Sequence, residues 1–139
     1  MFLRFFLCSP NVLLTTSLQV KLADFGLARH LKSSIEMTKG IGTASWTAPE
    51  ILRSQPYSTS ADVYSFAVVV WELFARTPPF HPMERDQILL AVAVDNARPE
   101  IPATVPVAWR SLIENCWQTE SDERPQFSEI CDWLNKIKF

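Results

Sequence analysis

The segment at residues 60–75, Ser-Ala-Asp-Val-Tyr-Ser-Phe-Ala-Val-Val-Val-Trp-Glu-Leu-Phe-Ala, constrains the fold more than any other. Wound at 3.6 residues per turn it is apolar on nearly every face, so it should be buried on all sides, as the central post of a helical domain. Ser60 reads as its N-cap, and Pro78-Pro79 stops it. Its most apolar part, residues 66–75, is about half the length of a membrane span and contains Glu72, so no membrane partner is expected and the cytoplasm is the expected compartment. A buried post needs other elements around it. The 139 residues are 47% apolar and 20% charged, which suits one modest core and not a disordered tail.

The remaining elements are short. Residues 12–15 and 20–23 are rich in branched side chains and flank the polar Thr16-Ser17, which predicts a small β-hairpin. Residues 24–47 are polar, punctuated by Gly26, Gly40 and Gly42, and lack periodicity, which predicts an exposed loop. Residues 49–54 predict a short helix with Pro49 in its first turn, and residues 85–95 a third helix. Trp109, Leu112, Ile113, Cys116 and Trp117 make a helical stripe, and Phe127, Ile130, Cys131, Leu134 and Ile137 make another. The fold class predicted is mainly α with one small hairpin.

The formal net charge of −2 supplies no basic stripe for a phosphate backbone, so nucleic acid is not expected as a partner. Cys8, Cys116 and Cys131 are odd in number and set among apolar residues, which reads as three buried thiols without metal-ligand spacing. The opening Met1-Phe-Leu-Arg-Phe-Phe-Leu-Cys8 is apolar but broken by Arg4, and does not read as a signal sequence.

Asp24-Phe25-Gly26 follows the second predicted strand directly. A carboxylate at a strand end, beside a residue free to take unusual backbone angles, can present a magnesium ligand at a cleft. Alone, the tripeptide is more often an ordinary turn. Its context is Asn11-Val-Leu-Leu, Val20-Lys-Leu-Ala-Asp24-Phe-Gly-Leu-Ala-Arg29, Gly42-Thr-Ala-Ser-Trp-Thr-Ala-Pro-Glu50, Ser60-Ala-Asp62-Val-Tyr-Ser-Phe, Trp117 and Glu123-Arg124-Pro125. In that order and spacing the sequence resembles a protein kinase of the tyrosine-kinase-like group, which includes Raf-like and mixed-lineage serine/threonine kinases. The resemblance covers residues 9–139 and leaves residues 1–8 unmatched. It implies a partial, helical large lobe with the hairpin attached and the small lobe absent.

By that resemblance Asn11 and Asp24 are the residues that hold magnesium against the phosphates of ATP, with Phe25 and Gly26 completing the motif. Asn11 has a plainer reading as a turn cap at the head of a strand. Residues 26–50 resemble an activation segment, with hydroxyls at Ser33, Ser34, Thr38, Thr43 and Ser45 that phosphorylation could pair with arginines. Thr43 resembles the threonine placed beside a protein substrate. Glu50 and Arg124 look like the family's buried ion pair, and Asp62 like the carboxylate that receives backbone N–H groups of the catalytic loop. As the first-turn acid of a helix, Asp62 is also favoured by the dipole.

The match fails where the chemistry is done. The family's catalytic loop reads His-Arg-Asp-Leu-Lys-Ser-x-Asn, and counting back from Asn11 puts Cys8 at the lysine, Phe6 at the aspartate, Phe5 at the arginine and Arg4 at the histidine. No catalytic residue remains, because a phenyl ring accepts no proton from an alcohol. No Gly-rich loop, strand lysine or helix glutamate is found within the chain. The sequence therefore predicts a kinase-family protein inactive by itself and a poor binder of ATP and magnesium. Two other readings stay open: an interaction module or pseudokinase fragment, and part of an active kinase whose upstream portion lies outside this chain. A protein substrate or partner kinase is implied by the family. The face of the 60–75 helix that the family's earlier helices would cover should be an exposed apolar patch.

Overall fold

The computed structural model describes residues 7–23 and 43–137. Cys8 leads into a 3₁₀ turn, Ser9–Asn11, and the branched residues beyond it form β1 (Val12–Leu14) and β2 (Val20–Leu22). The strands are antiparallel, with Val12 opposite Leu22, Leu13 opposite Lys21 and Leu14 opposite Val20. Their connection is closed by Leu18 N–H donating to Thr15 O at 2.9 Å and Thr15 N–H to Gln19 O at 3.0 Å. The Thr15 hydroxyl accepts the Gln19 N–H at 3.0 Å. Leu13, Leu14, Leu18 and Val20 are all exposed. A lone two-stranded hairpin is marginal in water, and the described residues do not bury this one's side chains.

Five α-helices are found among the described residues: α1 (Pro49–Leu52), α2 (Ser60–Ala75), α3 (Arg85–Ala93), α4 (Val107–Cys116) and α5 (Phe127–Lys136). The core gathers on α2, which buries Ala61, Val63, Tyr64, Ala67, Val68, Val70 and Trp71 and packs most extensively on α4. From α4 come Leu112, Ile113 and Cys116, with Trp117 just beyond its end. Phe74 meets Trp109 at a ring separation of 5.5 Å. The helix stops where Arg76 turns left-handed, at φ 53° and ψ 32°, and caps Glu72 O with its N–H at 2.8 Å before Pro78-Pro79. Helices α3 and α5 each begin on a capping box: Gln87 reaches back to the Glu84 N–H at 2.8 Å, and Glu129 to the Gln126 N–H at 2.7 Å.

Four sequence expectations need correction. Ser60 is not the N-cap of α2: Thr59 occupies that position without a side-chain cap bond, and the Ser58 hydroxyl accepts the Ser60 N–H at 3.2 Å. A cap is worth about 1 kcal/mol, whereas each large side chain fully buried by α2 is worth about 1.5–3 kcal/mol, so burial decides that this helix forms. Nor is α2 buried all round. Phe66 and Val69 are half-buried and Leu73 is 73% exposed, and the spacing i, i+3, i+7 puts the three on one stripe.

The expected exposed loop at 24–47 ends in a 3₁₀ turn, Thr43–Trp46, with Ala44, Ser45, Trp46 and Thr47 buried. The Ser65 hydroxyl donates to Trp46 O at 2.7 Å, and the Trp46 indole N–H to Glu72 Oε2 at 3.2 Å, so this segment is stitched along α2. Finally, Cys131 is exposed. The buried side of α5 is set by Ile130, Trp133, Leu134 and Ile137, and Cys131 lies about 100° round the helix from Ile130.

Burial pushes the Cys116 thiol from its ordinary 9.0 up to about 12. At pH 8 a thiol reagent should modify Cys131 in the folded chain and leave Cys116 untouched until denaturant is added. Because the folded value lies above the unfolded one, this thiol's contribution to stability is intact below pH 9 and is lost as the pH climbs from 9 to 12. Cys116 reacting as fast as Cys131 would contradict this packing.

Candidate functional site

Pro49 places Glu50 in the first turn of α1, and Pro125 with the capping box of α5 fixes the chain just after Arg124. These two residues, 74 apart in sequence, meet in a two-pronged ion pair: Arg124 Nη1 to Glu50 Oε1 at 2.7 Å and Nη2 to Oε2 at 2.8 Å. Their side chains are 0% and 8% exposed. The other guanidinium bonds go to main-chain carbonyls: Nε to Gln118 at 2.8 Å, Nη1 to Ser60 at 3.0 Å and Nη2 to Thr119 at 3.2 Å. All five donors of the guanidinium are thus used. The result fastens α1, the start of α2 and the loop before α5 to one group.

Tyr64 of α2 lies beneath this cluster, with the Arg124 guanidinium carbon 5.3 Å and that of Arg98 4.9 Å from its ring centre. Burial raises the Tyr64 phenol above its ordinary value, and the two arginines pull against that shift. Burial likewise lowers Arg98, with the neighbouring Arg124 and Arg53 charges acting in the same direction. The Tyr64 hydroxyl has no hydrogen-bond partner among the described residues, so it is the ring that is used. Neither Tyr64 nor Arg98 was singled out as a site residue by the sequence. Arg98 bonds mainly to main-chain carbonyls, and every stretch of chain has those.

The remaining candidates are spread along the chain. Asn11 is half-buried at the end of the first 3₁₀ turn, and its carbonyl accepts the Ala23 N–H at 2.8 Å. That bond brings the residue preceding Asp24 alongside Asn11. An amide oxygen and a carboxylate are both hard oxygen donors of the kind magnesium takes, so the pairing is chemically suitable. Cys8 is buried. Asp62 is buried in the first turn of α2, two residues beyond the carbonyl that Arg124 holds. Thr43 opens the 3₁₀ turn that precedes α1. Arg4, Phe5, Phe6, Asp24, Phe25, Gly26, Ser33, Ser34 and Thr38 lie outside the described residues. No group of three or more metal-ligating side chains is found among the described residues, and no helix there is long and apolar enough to cross a membrane.

The family model for protein tyrosine and serine/threonine kinases matches residues 5–134. The chain belongs to the protein kinase family. Among curated kinases, "Probable serine/threonine-protein kinase drkC" of Dictyostelium discoideum is 41% identical over 93% of this chain and 18% of its own length. "Probable serine/threonine-protein kinase SIS8" of Arabidopsis thaliana is 42% identical over 94% of this chain and 13% of its own. "Serine/threonine/tyrosine-protein kinase HT1", also of Arabidopsis thaliana, is 42% identical over 92% of this chain and 33% of its own. The chain therefore spans at most a third of the length of these kinases.

A carboxylate and a guanidinium this deeply buried are each costly to leave alone. Glu50→Gln or Arg124→Met should destabilise this kinase segment by about 3–5 kcal/mol in denaturant titration. The double variant should lose clearly less than the sum, since the second change removes the orphaned charge. Strictly additive losses would mean that the pair does not form in solution.

Proposed function

We propose that this chain, taken by itself, is a serine/threonine kinase segment of the tyrosine-kinase-like group that transfers no phosphate. The observation that carries the reading is the pair of side chains at the two transfer positions. Phe6 stands at the place of the aspartate that orients the substrate hydroxyl, and Cys8 at that of the lysine that steadies the moving phosphoryl group. Phenylalanine has no basic atom, and Cys8 is buried with the core at 7% exposure. Phosphoryl transfer depends almost wholly on positioning and charge neutralisation, and the groups that position the nucleotide from the small lobe have no counterpart within these 139 residues.

What this chain does retain is the metal-facing half of the site. Asn11 and Asp24 are the residues that would hold magnesium, which when bound neutralises charge on the phosphates of ATP. The Glu50–Arg124 anchor and Asp62 would support the end of the activation segment and the catalytic loop. The relatives' names point to serine and threonine hydroxyls as acceptors, and a cytoplasmic protein substrate fits that chemistry. The exposed apolar side chains of the hairpin and Leu73 on α2 favour a second element of the reading: in its working form this segment is covered by further kinase structure.

Purified chain incubated with magnesium and labelled ATP should phosphorylate neither itself nor a generic basic protein. Incorporation should match that of an Asp24→Ala control. Transfer clearly above the control would sink the inactive reading while leaving the family assignment intact.

A further inference from the structure

The Glu50–Arg124 pair is half of a closed circuit of polar contacts. On the next turn of chain after Glu50, Arg53 donates through Nε to Ala93 O at 2.6 Å and through Nη2 to the side-chain carbonyl of Asn96. Asn96 sits at the left-handed φ of 52° just after α3. Its main-chain carbonyl accepts Arg98 Nη1 at 3.1 Å, so Asn96 is gripped by Arg53 on its amide and by Arg98 on its backbone. Arg98 continues the circuit: Nη1 donates to Ala97 O at 2.9 Å, Nε to Trp117 O at 2.9 Å and Nη2 to the Thr119 hydroxyl at 3.4 Å. The carbonyls of Gln118 and Thr119 belong to Arg124, and both guanidiniums share the Tyr64 ring. From Arg124 the path returns to Glu50.

We infer that Arg98 is a positioning residue for α1, holding it from the far side through Asn96 and Arg53 while Arg124 holds it from the near side through Glu50. The physical reason is the shortness of α1. Four residues close barely one helical turn, far below the length at which a helix is stable by propensity, so its placement has to come from outside. The Glu50–Arg124 pair, with Pro49 and Ile51 buried beside it, holds α1 at its first turn. Two anchors, at Glu50 within α1 and at Arg53 just past its end, fix its direction, and Arg98 joins them because it holds Asn96 at one end and Thr119 at the other. The arrangement leaves three guanidiniums facing one carboxylate, and that surplus of charge is met by carbonyl dipoles from residues 93, 96, 97 and 117–119. The circuit itself is independent of activity. Its consequence rests on the kinase reading, in which α1 is where the activation segment ends.

Amide hydrogen exchange on the full 139-residue chain, without nucleotide, tests this independently of the transfer assay. The amides to watch are Ile51, Leu52, Arg53 and Gln55, whose bonds to Ala48, Pro49 and Glu50 carbonyls close α1. Arg98→Met keeps the aliphatic stem and removes every donor. Those amides should then exchange about 10-fold faster or more, beyond any change in the α4 amides that report global unfolding. Arg98→Lys should not rescue them, because one ammonium cannot reach carbonyls on both sides. Asn96→Gly keeps the positive φ but deletes the oxygen held by Arg53, and Thr119→Val deletes only the hydroxyl held by Arg98; each should loosen the same amides in a chain that still folds. If α1 exchanges no faster than global unfolding dictates in all of these variants, or if Arg98→Lys restores full protection, Arg98 has no positioning role.

Discussion

One guanidinium with all five donors occupied ties together segments that are far apart in sequence. Arg124 donates to both oxygens of Glu50 and to the carbonyls of Ser60, Gln118 and Thr119. Removing two charges from water costs several kcal/mol per ion, and the attraction recovers this only if geometry and hydrogen bonding are complete. Completeness is what makes the pair restrictive. A shift of α1, of the start of α2 or of the loop before α5 leaves a buried polar atom unmatched, so these three parts of the fold move together or not at all.

The helical architecture was legible because it rests on periodicity. The apolar run of α2 and the stripe through Leu112, Ile113 and Cys116 announce burial directly, and proline spacing marks where helices begin and stop. The errors share a cause, which is that tertiary partners overrule local signals. Ser60 has the right chemistry for a cap, but the turn made by Ser58 claims its N–H. Polar residues 43–47 looked like open loop because the sequence does not show that Ser65 and Glu72 wait on α2 to receive them. Cys131 sits among apolar neighbours, yet it lies to one side of the stripe that α5 turns inward.

Of the candidate site, the part carried by motif was legible and the part carried by main chain was not. Glu50 and Arg124 stand in sequence contexts that name them, and the structure brings them together. Arg53, Asn96 and Arg98 have no such context. Their partners are carbonyls and a single amide, groups whose position is known only once the turn at 93–98 is built. Tyr64 was legible as a buried residue of α2, but its role beneath two guanidiniums depends on loops about 30 and 60 residues downstream.

These features describe a kinase-family chain whose described scaffold is well anchored, and the reading proposed for it is that its transfer chemistry is incomplete. The Glu50–Arg124 pair, the buried Asp62 at the start of α2 and the β1–β2 hairpin are all present among the described residues; in the proposed reading, the groups that accept the proton and grip the nucleotide have no counterpart in the sequence. A ligand stabilises a fold only in proportion to how tightly it binds the folded state. The most direct measurement is therefore the thermal unfolding midpoint of the 139-residue chain with and without millimolar magnesium and ATP. The account predicts coincident curves. A rise of several degrees, abolished by Asp24→Ala, would show that the nucleotide site is already complete in this chain and would contradict it.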